Sequence, residues 1–100
     1  MEVLARDWRS TLGQIDIVAQ DGDTLVLVEV KARRGTGFGL PEEAVDGRKR
    51  QKLRALLEMY RAATKRREQP CRIDVLGLIL DEKLQVSRCE HIKNAVQDEG

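Results

Sequence analysis

Three side chains in the first third of this sequence have the types and spacing that phosphodiester chemistry uses. Asp16 lies in Gly13-Gln14-Ile15-Asp16-Ile17-Val18, and Glu29 and Lys31 lie in Val26-Leu27-Val28-Glu29-Val30-Lys31. An apolar strand does not accept an acid and a base without partners, because an unpaired buried charge is costly. Asp followed by Glu-x-Lys on two successive strands suits a metal-dependent phosphodiesterase. It equally suits a half-exposed, salt-bridged hairpin.

The turn between the two strands offers a geometric test. Gln20-Asp21-Gly22-Asp23 carries the Asp-Gly hairpin signal. With Asp21-Gly22 as the two central residues, Asp16 faces Leu27, Gln14 faces Glu29 and Leu12 faces Lys31. Residues directly opposite, and residues two apart on one strand, share a face. Asp16, Glu29, Lys31 and Gln14 are therefore expected on one face, with Asp16 and Glu29 diagonal neighbours about 7 Å apart at Cα. Ile15, Ile17, Ala19, Val26, Val28 and Val30 form the opposite, apolar face.

Two carboxylates at that spacing suit one Mg²⁺ or Mn²⁺, with waters and a substrate phosphate completing the octahedron and the Val30 carbonyl as a further ligand. Such an ion lowers the pKa of a bound water and stabilises charge on the phosphate. Lys31 is placed to orient that water or to stabilise the oxygen charge. The alternative is a surface Asp–Lys–Glu cluster that neutralises itself, each pair contributing about 0–1 kcal/mol.

The elements that must position these groups follow from hydrophobic period and turn chemistry. Val3 to Arg9 reads as a first strand with Leu4 and Trp8 on one face, and Leu12 to Ala19 and Thr24 to Ala32 as clearer strands. The three form an antiparallel meander. Arg33 to Leu40 is a glycine-rich loop, Pro41-Glu42-Glu43 opens a helical turn, and Asp46 caps a longer helix running to about Arg67. Leu53, Leu56, Leu57 and Tyr60 make its buried stripe. Cys71 to Leu80 suits a central strand, paired parallel to the hairpin after the helical crossover. Leu84 to Glu90 reads as a short edge strand, and the tail from Ile92 as a frayed helical end.

One hundred residues make one domain over 1–100, and 35% of them are charged with a formal net charge of only +1. Net charge therefore gives no argument for nucleic acid, and three aromatics are too few for a base-stacking platform. Charge segregation is more informative. Arg48, Lys49, Arg50, Lys52 and Arg54 crowd the start of the predicted helix, where they oppose its dipole. With Lys31, Arg33 and Arg34 they line a phosphate-binding rim, or else form a solvated face neutralised in part by Glu58 at i+4 from Arg54.

Cys71 and Cys89 have no metal-site spacing and read as reduced, buried thiols. His91 reads as a structural hydrogen-bonding group, and Trp8 as core or interface packing. Asp74 is the odd polar group of its strand, either bonded to the helix-rim bases or set at the strand's exposed end. The glycine loop lacks the ending of a nucleotide P-loop. No signal peptide or membrane-spanning run appears, so a cytoplasmic protein without membrane partners is expected.

Gly-Gln-Ile-Asp-Ile-Val followed by Leu-Val-Glu-Val-Lys resembles the core of the PD-(D/E)XK, or restriction-endonuclease-like, nuclease superfamily. More narrowly, the chain resembles the YraN-like family of small bacterial proteins. The likeness continues through Phe38-Gly39, Pro41-Glu42-Glu43-Ala44-Val45, Arg48-Lys49-Arg50-Gln51-Lys52-Leu53, Cys71-Arg72-Ile73-Asp74-Val75 and Glu90-His91-Ile92-Lys93-Asn94-Ala95, nearly the whole chain.

The resemblance implies a nuclease-like α/β core, a mixed sheet of about five strands, with Asp16, Glu29 and Lys31 in the catalytic positions. It implies DNA or RNA as substrate, branched or structured DNA included. The competing expectation is a catalytically weak or inactive nucleic-acid-binding or assembly module on the same fold. Two departures bear on the choice. Gln14 stands where the family carries an acid, and this chain starts at about the first strand where members begin with a helix. Weaker metal binding is expected, together with a partly bare sheet face that favours a homodimer or a partner.

Overall fold

The computed structural model describes residues 1–34 and 47–95. The glycine loop beyond Arg34, the Pro41-Glu42-Glu43 turn and the Asp46 cap lie outside them. The described elements are strands β1 (Glu2–Ser10), β2 (Gly13–Asp21) and β3 (Thr24–Arg34), helix α1 (Gly47–Ala63), and strands β4 (Cys71–Leu80) and β5 (Val86–Ile92). The strands form one mixed sheet in the order β1-β2-β3-β4-β5. β1, β2 and β3 pair antiparallel, β3 and β4 parallel, and β4 and β5 antiparallel. The expected meander, crossover and α/β class are all present. Among the described residues no helix is long and apolar enough to cross a membrane.

The hairpin register differs from the expected one by two residues. Asp21 pairs with Thr24, so Gly22 and Asp23 are the central turn residues. Gly22 adopts φ 60°, which suits glycine at the first central position of a hairpin turn rather than the second. Leu27 therefore faces Val18 instead of Asp16. Because side chains alternate with period two, a two-residue shift preserves parity, whereas a one-residue slip would have put Asp16 and Glu29 on opposite faces.

α1 covers one face of the sheet. Leu53, Leu56, Leu57 and Tyr60 pack on Ile15, Val18, Leu25, Leu27, Ile73 and Val75, each buried aliphatic side chain contributing about 1.5–3 kcal/mol. Trp8 joins this core edge-on to Tyr60, with ring centroids 5.3 Å apart. Ile15 was expected on the opposite face but lies in the helix-side core. Ile17 stays on the opposite face, so alternation along β2 is interrupted between Ile17 and Ile15, just past the last β2–β3 rung. On β1 the neighbouring Asp7 is left-handed at φ 50°.

The helix ends at Ala63, short of Arg67. Lys65 takes φ 58°, Arg66 N–H reaches back to the Arg61 carbonyl at 2.8 Å, and Lys65 N–H to that of Ala62 at 3.4 Å. These are the two bonds of a Schellman stop. The Arg61 guanidinium then binds the carbonyls of Arg66, Arg67 and Gln69, fixing the turn into β4.

Two further expectations are corrected. Cys71 and Cys89 are exposed rather than buried, because one opens β4 at the end of the sheet and the other lies on edge strand β5. Ile92 belongs to β5 rather than to a helical tail, and Ala95 N–H still reaches the Ile73 carbonyl at 2.9 Å. Glu58 pairs with Arg61 at 2.6 Å, i to i+3. On the sheet face away from α1, Met1, Val3, Ile17, Ala19, Val28, Leu76 and His91 line a groove of about 280 Å³.

Candidate active site

β3 carries Leu25, Leu27 and Glu29 in alternation toward α1, so the carboxylate of Glu29 sits under the helix beside two leucines. It is 6% exposed. Lys31 Nζ lies 3.4 Å and Lys49 Nζ 3.1 Å from the same oxygen, Glu29 Oε1. Lys49 comes from the first turn of α1. The crossover explains its arrival: a helix that returns antiparallel to a parallel strand pair starts over the far end of the first strand.

Asp16 is half-buried on β2. The last β2–β3 rung is Ile17↔Val28, and one step beyond it the same register brings Asp16 level with Glu29. There the Asp16 carboxylate replaces the ladder, with Oδ2 accepting the Val30 N–H at 3.0 Å. In an extended strand the N–H and C=O of one residue point to the same side. The Val30 carbonyl therefore also points toward the β2 side, where the ladder has ended. Asp16, Glu29 and the Val30 main chain thus converge at the mouth of a splayed hairpin.

Gln14 lies elsewhere. It pairs with Arg9 on β1 instead of facing Glu29, is exposed, and donates from Nε2 to Asp7 Oδ1 at 2.8 Å. The basic residues divide. Lys31 and Arg33 follow Glu29 in alternation on one face of β3, while Arg34 is on the other. Lys52 lays its Cε 3.1 Å from where a Cβ on Gly13 would stand, and Gly13 has φ 141°. A side chain there would both strain the backbone and meet Lys52. Arg48 and Lys52 are exposed, and Arg50 is half-buried.

The donor set suits a modest Mg²⁺ or Mn²⁺ site. Mg²⁺ commonly takes one or two carboxylates and keeps its waters, and Asp16, Glu29 and the Val30 carbonyl supply that many groups. Among the described residues no cluster of three or more His, Cys, Asp or Glu side chains is placed to hold a metal ion. Among the described residues a site built here therefore has few protein ligands.

A second buried acid lies on the opposite face. Asp74 is fully buried, and Oδ1 accepts from Arg72 Nε at 3.0 Å and Asn94 N–H at 2.8 Å. Oδ2 accepts from Arg72 Nη2 at 3.3 Å and lies 2.7 Å from His91 Nε2. Burial pushes this carboxyl up, but the bonds from Arg72, Asn94 and His91 outweigh it and hold Asp74 below the usual carboxylate range. Arg72 also bonds Asp21 at 2.9 Å, which lowers the Asp21 carboxyl in turn. His91 has the structural role expected of it. Asp74 takes neither expected place, since its partners come from its own strand and from β5 and the turn after it.

A family model described as "Uncharacterised protein family UPF0102" matches residues 1–78. A UPF0102 protein of Pelotomaculum thermopropionicum is 41% identical over 93 residues, covering 93% of this chain and 78% of the relative. One from Moorella thermoacetica is 43% identical with the same coverage, and one from Rhodococcus opacus is 39% identical over 95 residues, covering 95% of this chain and 80% of the relative. The chain belongs to the UPF0102, or YraN-like, family.

Proposed function

We propose that this protein is a metal-dependent phosphodiesterase of the restriction-endonuclease-like, PD-(D/E)XK class, acting on DNA or RNA. The observation that carries the reading is the meeting of Asp16 and Glu29 where the β2–β3 ladder ends, with Lys31 at 3.4 Å from Glu29. Asp16 and Glu29, with the Val30 carbonyl, are the groups to hold Mg²⁺ or Mn²⁺. When bound, such an ion supplies charge stabilisation to a phosphate and a lowered pKa to water. Lys31 hydrogen-bonds a phosphate oxygen as charge develops on it. Arg33, Arg48, Lys49, Arg50 and Lys52 give the strand an electropositive approach, and Arg34 extends it from the other face of β3.

A second reading has its own support. The described site holds two carboxylates, and Gln14 is turned to Asp7. Those facts favour a nucleic-acid-binding or assembly module on the same fold, with weak or no catalysis.

Mn²⁺ titration by calorimetry on the wild type, Asp16→Asn and Glu29→Gln decides between them, alongside cleavage of linear DNA, branched DNA and RNA. Asp16→Asn keeps an oxygen for the Val30 N–H, so loss of metal binding there reports charge rather than unfolding. The nuclease reading expects saturable Mn²⁺ binding by the wild type, at least tenfold weaker in each variant, and cleavage that follows it. A wild type that binds strands in a salt-sensitive way but takes no Mn²⁺ at millimolar concentration leaves the binding module.

A further inference from the structure

Glu29 Oε1 receives two ammonium groups, and one of them comes from a part of the fold where a cation is disfavoured. Lys49 stands in the first turn of α1, which contains no acidic residue. The positive end of the helix dipole opposes a cation there. The bond to Glu29 at 3.1 Å offsets that cost. A divalent cation at Glu29 would sit about 2 Å from its oxygen ligands, too close to tolerate both ammoniums on the same oxygen. Lys31 is on the same strand and face as Glu29, so its backbone keeps it beside the site. Lys49 reaches the same oxygen from a separate element, α1. Its side chain is 32% exposed on a flexible four-carbon stem, so it has a path outward.

We infer that Lys49 is a displaceable counter-ion that competes with a divalent cation for Glu29 and, once displaced, contacts the phosphate of a nucleic-acid strand. This rests on the proposed metal-site reading of Asp16 and Glu29. It gives Lys49 two effects of opposite sign, weakening metal binding and strengthening strand binding. A residue that merely clamps α1 onto β3 would show neither pattern.

The test is Mn²⁺ calorimetry and DNA binding in Ca²⁺ on the wild type, Lys49→Met, Lys49→Arg and Arg48→Met, with melting curves for each. Lys49→Met should bind Mn²⁺ at least about threefold tighter, the scale of removing one partly exposed ion pair. The same variant should bind DNA more weakly, with the salt slope reduced by about one charge. Lys49→Arg keeps the competing cation and should bind Mn²⁺ no tighter than the wild type. Arg48→Met removes the same charge from the same turn at an exposed position, and its Mn²⁺ affinity should stay within about twofold.

Unchanged or weaker Mn²⁺ binding by a folded Lys49→Met overturns the inference while leaving the metal site standing. So does equal tightening by Arg48→Met, which would show only a general field. A wild type that binds no Mn²⁺ removes the metal-site reading itself, and the two failures are distinguishable.

Discussion

Glu29 and Asp74 are both buried carboxylates on adjacent strands, yet they are satisfied in opposite ways. Asp74 receives a planar guanidinium, a ring nitrogen and a main-chain N–H, four bonds spread over both oxygens. That uses the acceptor capacity of a carboxylate. Glu29 is met by two lysines that both reach Oε1 and are each about a third exposed. Rigid, complete bonding fixes an acid in place, whereas flexible cations can be exchanged for another cation. The contrast separates an acid that holds the fold from one that is available for chemistry.

The largest expected effect is at the saturated acid. Asp74→Ala leaves the Arg72 Nε and the Asn94 N–H without their acceptor, Asp21 staying as the other partner of Arg72, and breaking a buried pair in this way costs about 3–5 kcal/mol. In a domain this size the melting midpoint should fall by more than about 10 °C. A loss below about 1 kcal/mol in urea unfolding would remove the contrast with Glu29.

Acid titration sharpens the same point. The folded pKa of Asp74 is depressed, so its stabilisation is present above the unfolded value, 3.8, and is lost as pH falls through the folded one. Urea midpoints should be flat above about pH 5 and drop below about pH 4. Asp21, also depressed and bonded to the same Arg72, adds to the drop in the same direction. Asp74→Asn should be less stable at neutral pH and show a shallower acid limb than the wild type. A limb of equal steepness would place the acid-sensitive group elsewhere. His91→Ala removes one of the four bonds at a partly exposed position, and about 1–2 kcal/mol is expected by the same measurement.

These two acids also mark how far the sequence could be read. Alternation and the Leu53, Leu56, Leu57, Tyr60 stripe disclosed the strands, the helix and the crossover, since each depends on local period. Asp16 reaches β3 next to Glu29 through the Val30 N–H, a bond that parity does not disclose because alternation along β2 breaks between Ile17 and Ile15. Which residue sits opposite which was misread as well, as Gln14 shows. The Asp74 network was illegible because His91 and Asn94 reach it only after β5 folds back on β4. Lys49 read as one base in a basic run. Its bond to Glu29 depends on where the crossover sets α1, though the absence of any acid in that first turn was a visible signal. The exposed cysteines were misread from a residue-type average, which takes no account of a strand end or an edge strand.

The smallest stability effect should come from the exchangeable acid, and that is what makes it informative. Glu29→Gln keeps the shape and removes the charge from a site 6% exposed. If Glu29 were a structural acid like Asp74, losing that charge would strand two cations and destabilise the fold by several kcal/mol. Both lysines are partly exposed, so they can turn to solvent when the charge goes. The expected change in unfolding free energy is therefore within about 1 kcal/mol. A loss near that of Asp74→Ala would make Glu29 a second structural anchor and leave Asp16, among the described residues, the one acid of the site free for a metal. A near-neutral Glu29→Gln that no longer binds Mn²⁺ would mean that the fold tolerates removal of this charge while the site does not.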